Sequence, residues 1–282
     1  MNNLLFKISR DKKALIGIIT ITLIILTAVF APLISPQNPS KQEISKRLSP
    51  PYFLGGEFAH FLGTDPLGQD ILSRIIYGTR ISLIVGIASV IGAGFVGFVF
   101  GIISGYFGGR IDNIIMRIVD LQMAIPFLVL AIAVIAVLQP GLKNIMIVLI
   151  ITGWVRYARV ARAQTLVIKE NEFIKAAIAL GSTRFRLIFS DIVPNIIMPI
   201  LVLSTLEVGQ MILAESALSF LGLGIQPPTP SWGGMVADGR DYLSVAWWVP
   251  TFPGLAILIT VLGINFLGDW LRDHFDPKLR NI

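Results

Sequence analysis

Residues 171–194 read NEFIKAAIALGSTRFRLIFSDIVP, a polar island between two long apolar runs of a 282-residue chain. Phe173, Ala176, Ala177 and Leu180 follow the i, i+3, i+4, i+7 spacing of one helical face. Gly181 interrupts that face, and Phe185, Ile188, Phe189 and Ile192 then repeat the spacing. Ser182 is available as an N-cap, and Pro194 stands at the start of the next apolar run. The pattern predicts two short amphipathic helices meeting at a glycine. Such an elbow either lies on a lipid surface with its arginines toward phosphates or docks in a groove of a soluble partner. An alanine-rich face is a weak membrane anchor but lets two backbones approach closely, which favours docking for the first helix.

The rest of the chain sets the class. Hydrophobic residues make up 54% and charged residues 14%, against roughly a quarter charged in ordinary soluble domains, and the mean hydropathy is +0.77. These values predict an all-α, polytopic integral membrane protein. The absence of cysteine excludes disulfides and thiolate metal sites, and His60 and His274 stand too far apart in sequence to suggest a metal centre. The net charge of +6 comes from basic residues flanking apolar runs. That arrangement reflects topology and argues against a nucleic-acid partner.

A hydrocarbon core about 30 Å thick is crossed by roughly 20 apolar residues in a helix. Residues 14–34, 81–109, 121–142 and 242–268 contain no Asp, Glu, Lys or Arg, and residues 192–214 contain only Glu207. The first run is long and lacks a small-residue cleavage site, so it reads as a retained span and not a signal peptide. The run at 144–155 is short, because Arg156, Arg159 and Arg162 follow it. Topology decides its reading. Lys7, Arg10, Lys12 and Lys13 precede the first span and place the N-terminus in the cytoplasm. If residues 144–163 did not cross, the seven basic residues from Arg156 to Arg186 would lie outside. Six spans with both termini cytoplasmic put 16 Lys and Arg inside and seven outside or at the outer edge. On this reading the arginines of the fourth span snorkel toward the inner headgroups. Trp232, Trp247 and Trp248 suit an outer interfacial belt, and Trp270 suits the inner boundary.

Within the second span Ser89, Ala93, Gly97, Gly101 and Gly105 recur every four residues, a stripe that lets helices approach closely, either within the chain or against another subunit. Pro126 is expected to kink the third span. Acidic groups inside spans are costly to bury and raise a functional hypothesis. Glu207 is the deepest, either on a substrate path or subunit contact or as a buried structural group. Asp120 and Glu215 lie near span ends, within reach of headgroup water or a helix cap. His60 and His274 read as solvated. Asp65, Asp70, Arg74 and Arg80 suggest an interfacial helix at the outer mouth, either salt-bridged locally or docking a partner.

KAAIALGSTRFRLIFSDIVP (175–194) resembles the EAA loop of permease subunits of ATP-binding-cassette importers: Glu-Ala-Ala, three residues, Gly, then about ten residues to a hydrophobic-Pro ending. The match covers Ala176, Ala177, Gly181, Ile192 and Pro194. Lys175 replaces the usual Glu, and Glu172 lies one turn earlier. LGTDPLGQDILSRIIYGTRISLIVG (62–86), ESALSFLGLGIQPPTPSWGGMVADGRDYL (215–243) and LRDHFDPKLR (271–280) resemble segments of the second permease subunit of dipeptide, oligopeptide and nickel importers. The resemblance implies a type I importer permease fold. It divides the chain into an N-terminal segment with the first span and outer loop (1–79), a permease domain (80–270) with the coupling loop at about 165–194, and a cytoplasmic tail (271–282).

The resemblance also implies the partners: a second homologous permease, two ATPase subunits that bind ATP and Mg and receive the elbow, and an extracytoplasmic solute-binding protein, all at a bacterial or archaeal cell membrane. The chain holds no Gly-Lys dipeptide, hence no phosphate-cradling loop, and no cofactor or catalytic residue is assigned to it. The implied cargo is di- or oligopeptide, with nickel chelates or glutathione-type molecules as the alternative within the family. A secondary transporter would place several ionisable or unwound elements at mid-membrane and often show repeated halves. An intramembrane enzyme would need paired acids or metal-binding histidines in its spans. Neither pattern is present.

Overall fold

The computed structural model describes residues 11–275. Lys7, Arg10 and the 276–282 part of the tail, which enter the topology reading above, lie outside the described residues. Among the described residues the chain is helical apart from loops and one isolated β-bridge, Thr64 with Asp70.

Five helices among the described residues are long and apolar enough to cross a membrane: α1 (Lys12–Ile34), α2 (Ile71–Phe107), α5 (Leu142–Lys169), the stretch Arg184–Phe220, and α10 (Trp248–Phe275). The sixth expected span is different. Residues 121–142 do not form one continuous helix: α3 (Gly109–Met123) ends, the chain turns by 95°, and α4 (Phe127–Leu138) begins behind Pro126. Pro126 has no N–H to give to a helix and disfavours helical geometry in the residue before it, so the kink expected at this proline is a full break. With only 12 residues, α4 is roughly 18 Å long, short of a hydrocarbon core by itself. The six-span count therefore rests on taking the bent pair as one crossing.

The doubtful run at 144–155 is part of a 28-residue helix. Its arginines do not snorkel into solvent alone but pair with carboxylates: Arg156 with Glu207 at 2.8 Å, Arg159 with Asp120 at 2.7 Å and Arg162 with Asp112 at 2.6 Å. Asp112 reaches this ladder from the helix α3, which includes residues 110–117.

The small-residue stripe of α2 packs inside the chain, against α5. A Cβ built on Gly101 would stand 2.6 Å from the Ala158 carbonyl oxygen and the Ala161 Cβ, and one on Gly97 would collide with the Trp154 carbonyl. The two helices touch through backbone, which only residues without bulk permit. Around this seam lies the main core, which includes Val85, Ala93, Leu149, Tyr157 and Met211. At one end of the 37-residue α2 sits a cap built from residues 35–70 and 221–247. At the other sits the elbow: α6 (Glu172–Ala179), the single turn α7 (Arg184–Arg186) and a wide, π-type turn (Leu187–Ile192) running into α8 (Val193–Phe220).

The cap departs from its expected form. Ile71–Arg80 continues α2 and is not a separate interfacial helix. Asp70 caps it, accepting from the Ser73 N–H at 2.8 Å. Asp65 holds the preceding turn through the N–H groups of Leu67 and Gln69 and pairs with Arg74, which also reaches Asp238 at 3.5 Å. Arg80 stands apart, on a cleft beside Pro32 and Pro230. His60 is not solvated: it is 2% exposed, with Nδ1 3.1 Å from Asp70 Oδ1. Trp232 and Trp248 are also buried, donating from Nε1 to the carbonyls of Ile75 (3.0 Å) and Thr64 (3.4 Å), so neither forms an interfacial belt. Trp247 is exposed, and Trp270 is buried with His274 stacked on it at 5.1 Å, within α10 and not in free solvent. The short helix α9 (Trp232–Gly239) closes the cap.

Candidate functional site

Two places gather the residues singled out in the sequence. The first is the elbow. After α6 the chain reverses through Gly181 at φ +82°, with the Ser182 N–H reaching the Ala177 carbonyl (3.0 Å) and the Gly181 N–H the Ile178 carbonyl (2.9 Å). This is the glycine-closed helix end in which a left-handed residue satisfies the last carbonyls. No atom lies within 4 Å of a Cβ placed there, so backbone geometry and not crowding selects glycine. Thr183, not Ser182, caps the following turn by accepting from the Arg186 N–H at 3.4 Å.

The stripe expected on α6 is left free of its own chain except at Ala177, and the opposite side of the helix seats it. Ile174, outside the predicted stripe, is fully buried in a cluster with Ile102, Leu187, Ile192 and Ile196, and Ala177 packs at its edge. Phe173, Ala176 and Leu180 face outward, Leu180 being 87% exposed. Beyond the glycine, Phe185 (72% exposed) and Phe189 lie against each other with ring centroids 4.4 Å apart and form an exposed aromatic pair. Lys175 pairs with Glu170 at 3.0 Å on the surface, and Glu172 lies in the first turn of α6. Pro194 is exposed at the start of α8. Of the candidate coupling residues, Ile192 and Ala177 hold the elbow on its own chain, while Ala176, Lys175 and Glu172 look outward.

The second place is a half-open cleft of about 530 Å³ between the α3–α4 bend, α5 and α8. Gln122 anchors the bend: its amide donates to the carbonyls of Ile151 (2.7 Å) and Thr152 (3.3 Å), and its oxygen accepts from Trp154 Nε1 at 3.0 Å. The walls are mostly apolar, and among the described residues the only charged groups lining the cleft are Arg156 and Glu207. Glu207 is thus both a buried ion-paired group and a cleft residue. Asp120 and Glu215 do not join it. Asp120 is exposed and paired with Arg159, and Glu215 is fully buried elsewhere in α8, accepting from Ser219 Oγ at 2.6 Å. The sequence reading gave Arg156 only a snorkelling role and passed over Asp112 and Ile174. Three arginines at three-residue spacing in one span, facing acids at 112, 120 and 207, were the available signal for the ladder.

The chain matches the family model described as "Binding-protein-dependent transport system inner membrane component" over residues 97–281. It also matches "N-terminal TM domain of oligopeptide transport permease C" over residues 4–51. It is 43% identical over 274 residues, 97% of this chain and 90% of the relative, to the "Di/tripeptide transport system permease protein DppC" of Pseudomonas aeruginosa. It is 44% identical over 272 residues, 96% and 91%, to the "Dipeptide transport system permease protein DppC" of Escherichia coli K12. Among solved structures, an inward-facing conformation of the MetNI methionine ABC transporter aligns with a TM-score of 0.56 at 19% identity, over 72% of this chain and 96% of that chain. That likeness supports the importer-permease fold by shape alone. The broken third span, the elbow and the cleft therefore sit in a chain that belongs to the binding-protein-dependent transport system inner membrane components.

Proposed function

We propose that this chain is a permease subunit of an ATP-driven importer of di- or oligopeptides. In this reading it forms half of the translocation path and couples to separate ATPase subunits through the elbow at 171–194. The observation that carries the reading is the outward apolar face of that elbow. Leu180, Phe185 and Phe189 are exposed next to Arg184 and Arg186, while Ile174, Leu187 and Ile192 fasten the elbow to the bundle. A seated, rigid, apolar surface at the end of a membrane bundle suits a protein groove. The dipeptide names of the relatives support the cargo class.

The elbow and both termini then face the cytoplasm and the cap faces outward to receive a solute-binding protein, in agreement with the excess of Lys and Arg on the elbow side. A homologous permease closes the open side of the cleft, and ATP and Mg reside in the ATPase subunits. The cell membrane of a bacterium or archaeon is the setting. Reconstitution of this chain with a second permease, the ATPase pair and a peptide-loaded binding protein tests the proposal. Dipeptide uptake is expected only with both ATP and the binding protein, and the chain alone is expected to hydrolyse no ATP. Uptake driven by an ion gradient without ATP would overturn the reading in favour of a secondary transporter. Normal ATPase recruitment by the Leu180→Asp/Phe185→Asp double variant would show that the elbow is not the coupling element.

A further inference from the structure

Resting on the peptide-importer reading, we infer that Arg156 and Glu207 form a zwitterion-exchange site in the cleft, with Glu207 receiving the ammonium terminus of the passing peptide and Arg156 its carboxylate. Three observations converge on it. Among the described residues the pair provides the only charged groups on a mostly apolar wall. The two partners are unequal: the Glu207 side chain is 7% exposed, whereas that of Arg156 is 59% exposed at 2.8 Å from it. One helical turn along, Gln210 presents an exposed side chain to the same cleft, where an amide can meet a peptide backbone.

The inequality gives the site its selectivity. A carboxylate this buried is costly to leave without a counter-charge. Arg156, on a long flexible stem, swings away from Glu207 only when another cation takes its place. A peptide ammonium does so, and the peptide carboxylate then follows the displaced guanidinium, which pairs well with carboxylates. Two or three residues span at most roughly 7–11 Å between ends, a reach suited to a cleft of about 530 Å³. Each exchange keeps the cleft neutral, so a zwitterion is passed without stranding a charge. A neutral or purely anionic cargo offers no cation for Glu207 and leaves the pair closed.

A purely structural tie between α5 and α8 predicts something different, because two glutamines can hydrogen-bond in place of the ion pair. The test uses the reconstituted four-subunit complex with its binding protein and a radiolabelled dipeptide, comparing the parent with Arg156→Gln/Glu207→Gln. We expect binding-protein-stimulated ATP hydrolysis within about twofold of the parent and dipeptide uptake lowered at least tenfold. Glu207→Gln alone, which strands no carboxylate, is expected to show the same separation and keeps the result readable if the double variant assembles poorly. Uptake by both variants within twofold of the parent overturns the inference while leaving the importer reading intact. Absence of uptake by the parent complex overturns that reading and this inference with it.

Discussion

The cap and the elbow sit at opposite ends of α2 and are held together by different kinds of interior. The cap buries polar groups against one another: Asp65 with Arg74, Asp70 with His60 and the first turn of α2, and the indoles of Trp232 and Trp248 with backbone carbonyls. Most of its buried polar groups are paired within the chain, with His60 Nε2 the exception. The elbow buries little beyond Ile174, Leu187 and Ile192 and leaves Leu180, Phe185 and Phe189 in the open. Both leave large apolar side chains in the open, Ile44, Phe58 and Val245 in the cap among them, so the difference lies beneath the surface: polar pairs hold the cap, and a small apolar cluster seats the elbow. Both ends thus offer surfaces for association, and they differ in how each surface is held on the bundle.

The largest effect that would break this contrast is expected in the cap. Arg74→Ala leaves the buried Asp65 without its guanidinium, a loss of about 3–5 kcal/mol for a broken buried pair. Thermal unfolding in detergent should register it, and a change below about 1 kcal/mol would mean the cap is not held by its ion pairs. In the elbow, Ile174→Asp places a charge where the side chain is fully buried, a change of several kcal/mol to that local contact. We expect the spans to assemble and ATPase co-purification to fail; wild-type recruitment would show that the elbow does not need its seat.

Gly181→Val is a smaller perturbation. Because nothing crowds the position, the variant suffers only the left-handed backbone, about 1–2 kcal/mol. Coupled ATP hydrolysis should fall while membrane levels stay normal, and Gly181→Asn, which tolerates that conformation better, should recover most of it. Equal activity of the Val and Asn variants would exclude the turn as the cause. The smallest effect is expected for Lys175→Ala. Its pair with Glu170 is exposed on both sides, and such pairs contribute about 0–1 kcal/mol. A large loss of uptake at unchanged stability would instead mark Lys175 as a direct contact to the ATPase.

The two helices flanking Gly181 were legible because glycine at a helix end and a 3.6-residue repeat are local signals. The seat of α6 at Ile174 was not. Phe173, Ala176, Ala177 and Leu180 form a regular stripe, yet periodicity does not say whether a stripe faces the chain itself or a missing partner. Ile174 was drawn inward because the α2 end and the wide turn at Leu187–Ile192 form an apolar seat beneath it. The tryptophans show the same limit. An indole suits a membrane interface or a buried carbonyl equally well, and only the approach of Ile75 and Thr64 decided for burial.

By itself the sequence determined the membrane class, the apolar runs of six expected crossings, the close-packing stripe of α2 and the glycine-hinged elbow, all of which follow from composition and short-range spacing along one helix. The tertiary structure alone decided that the third crossing breaks by 95°, that Arg156, Arg159 and Arg162 meet Glu207, Asp120 and Asp112, and that only Glu207 of the three candidate acids faces the cleft. The physical reason is distance along the chain. An ion pair such as Arg156–Glu207 joins residues 51 positions apart, and only the packing of α5 against α8 brings the two charges together.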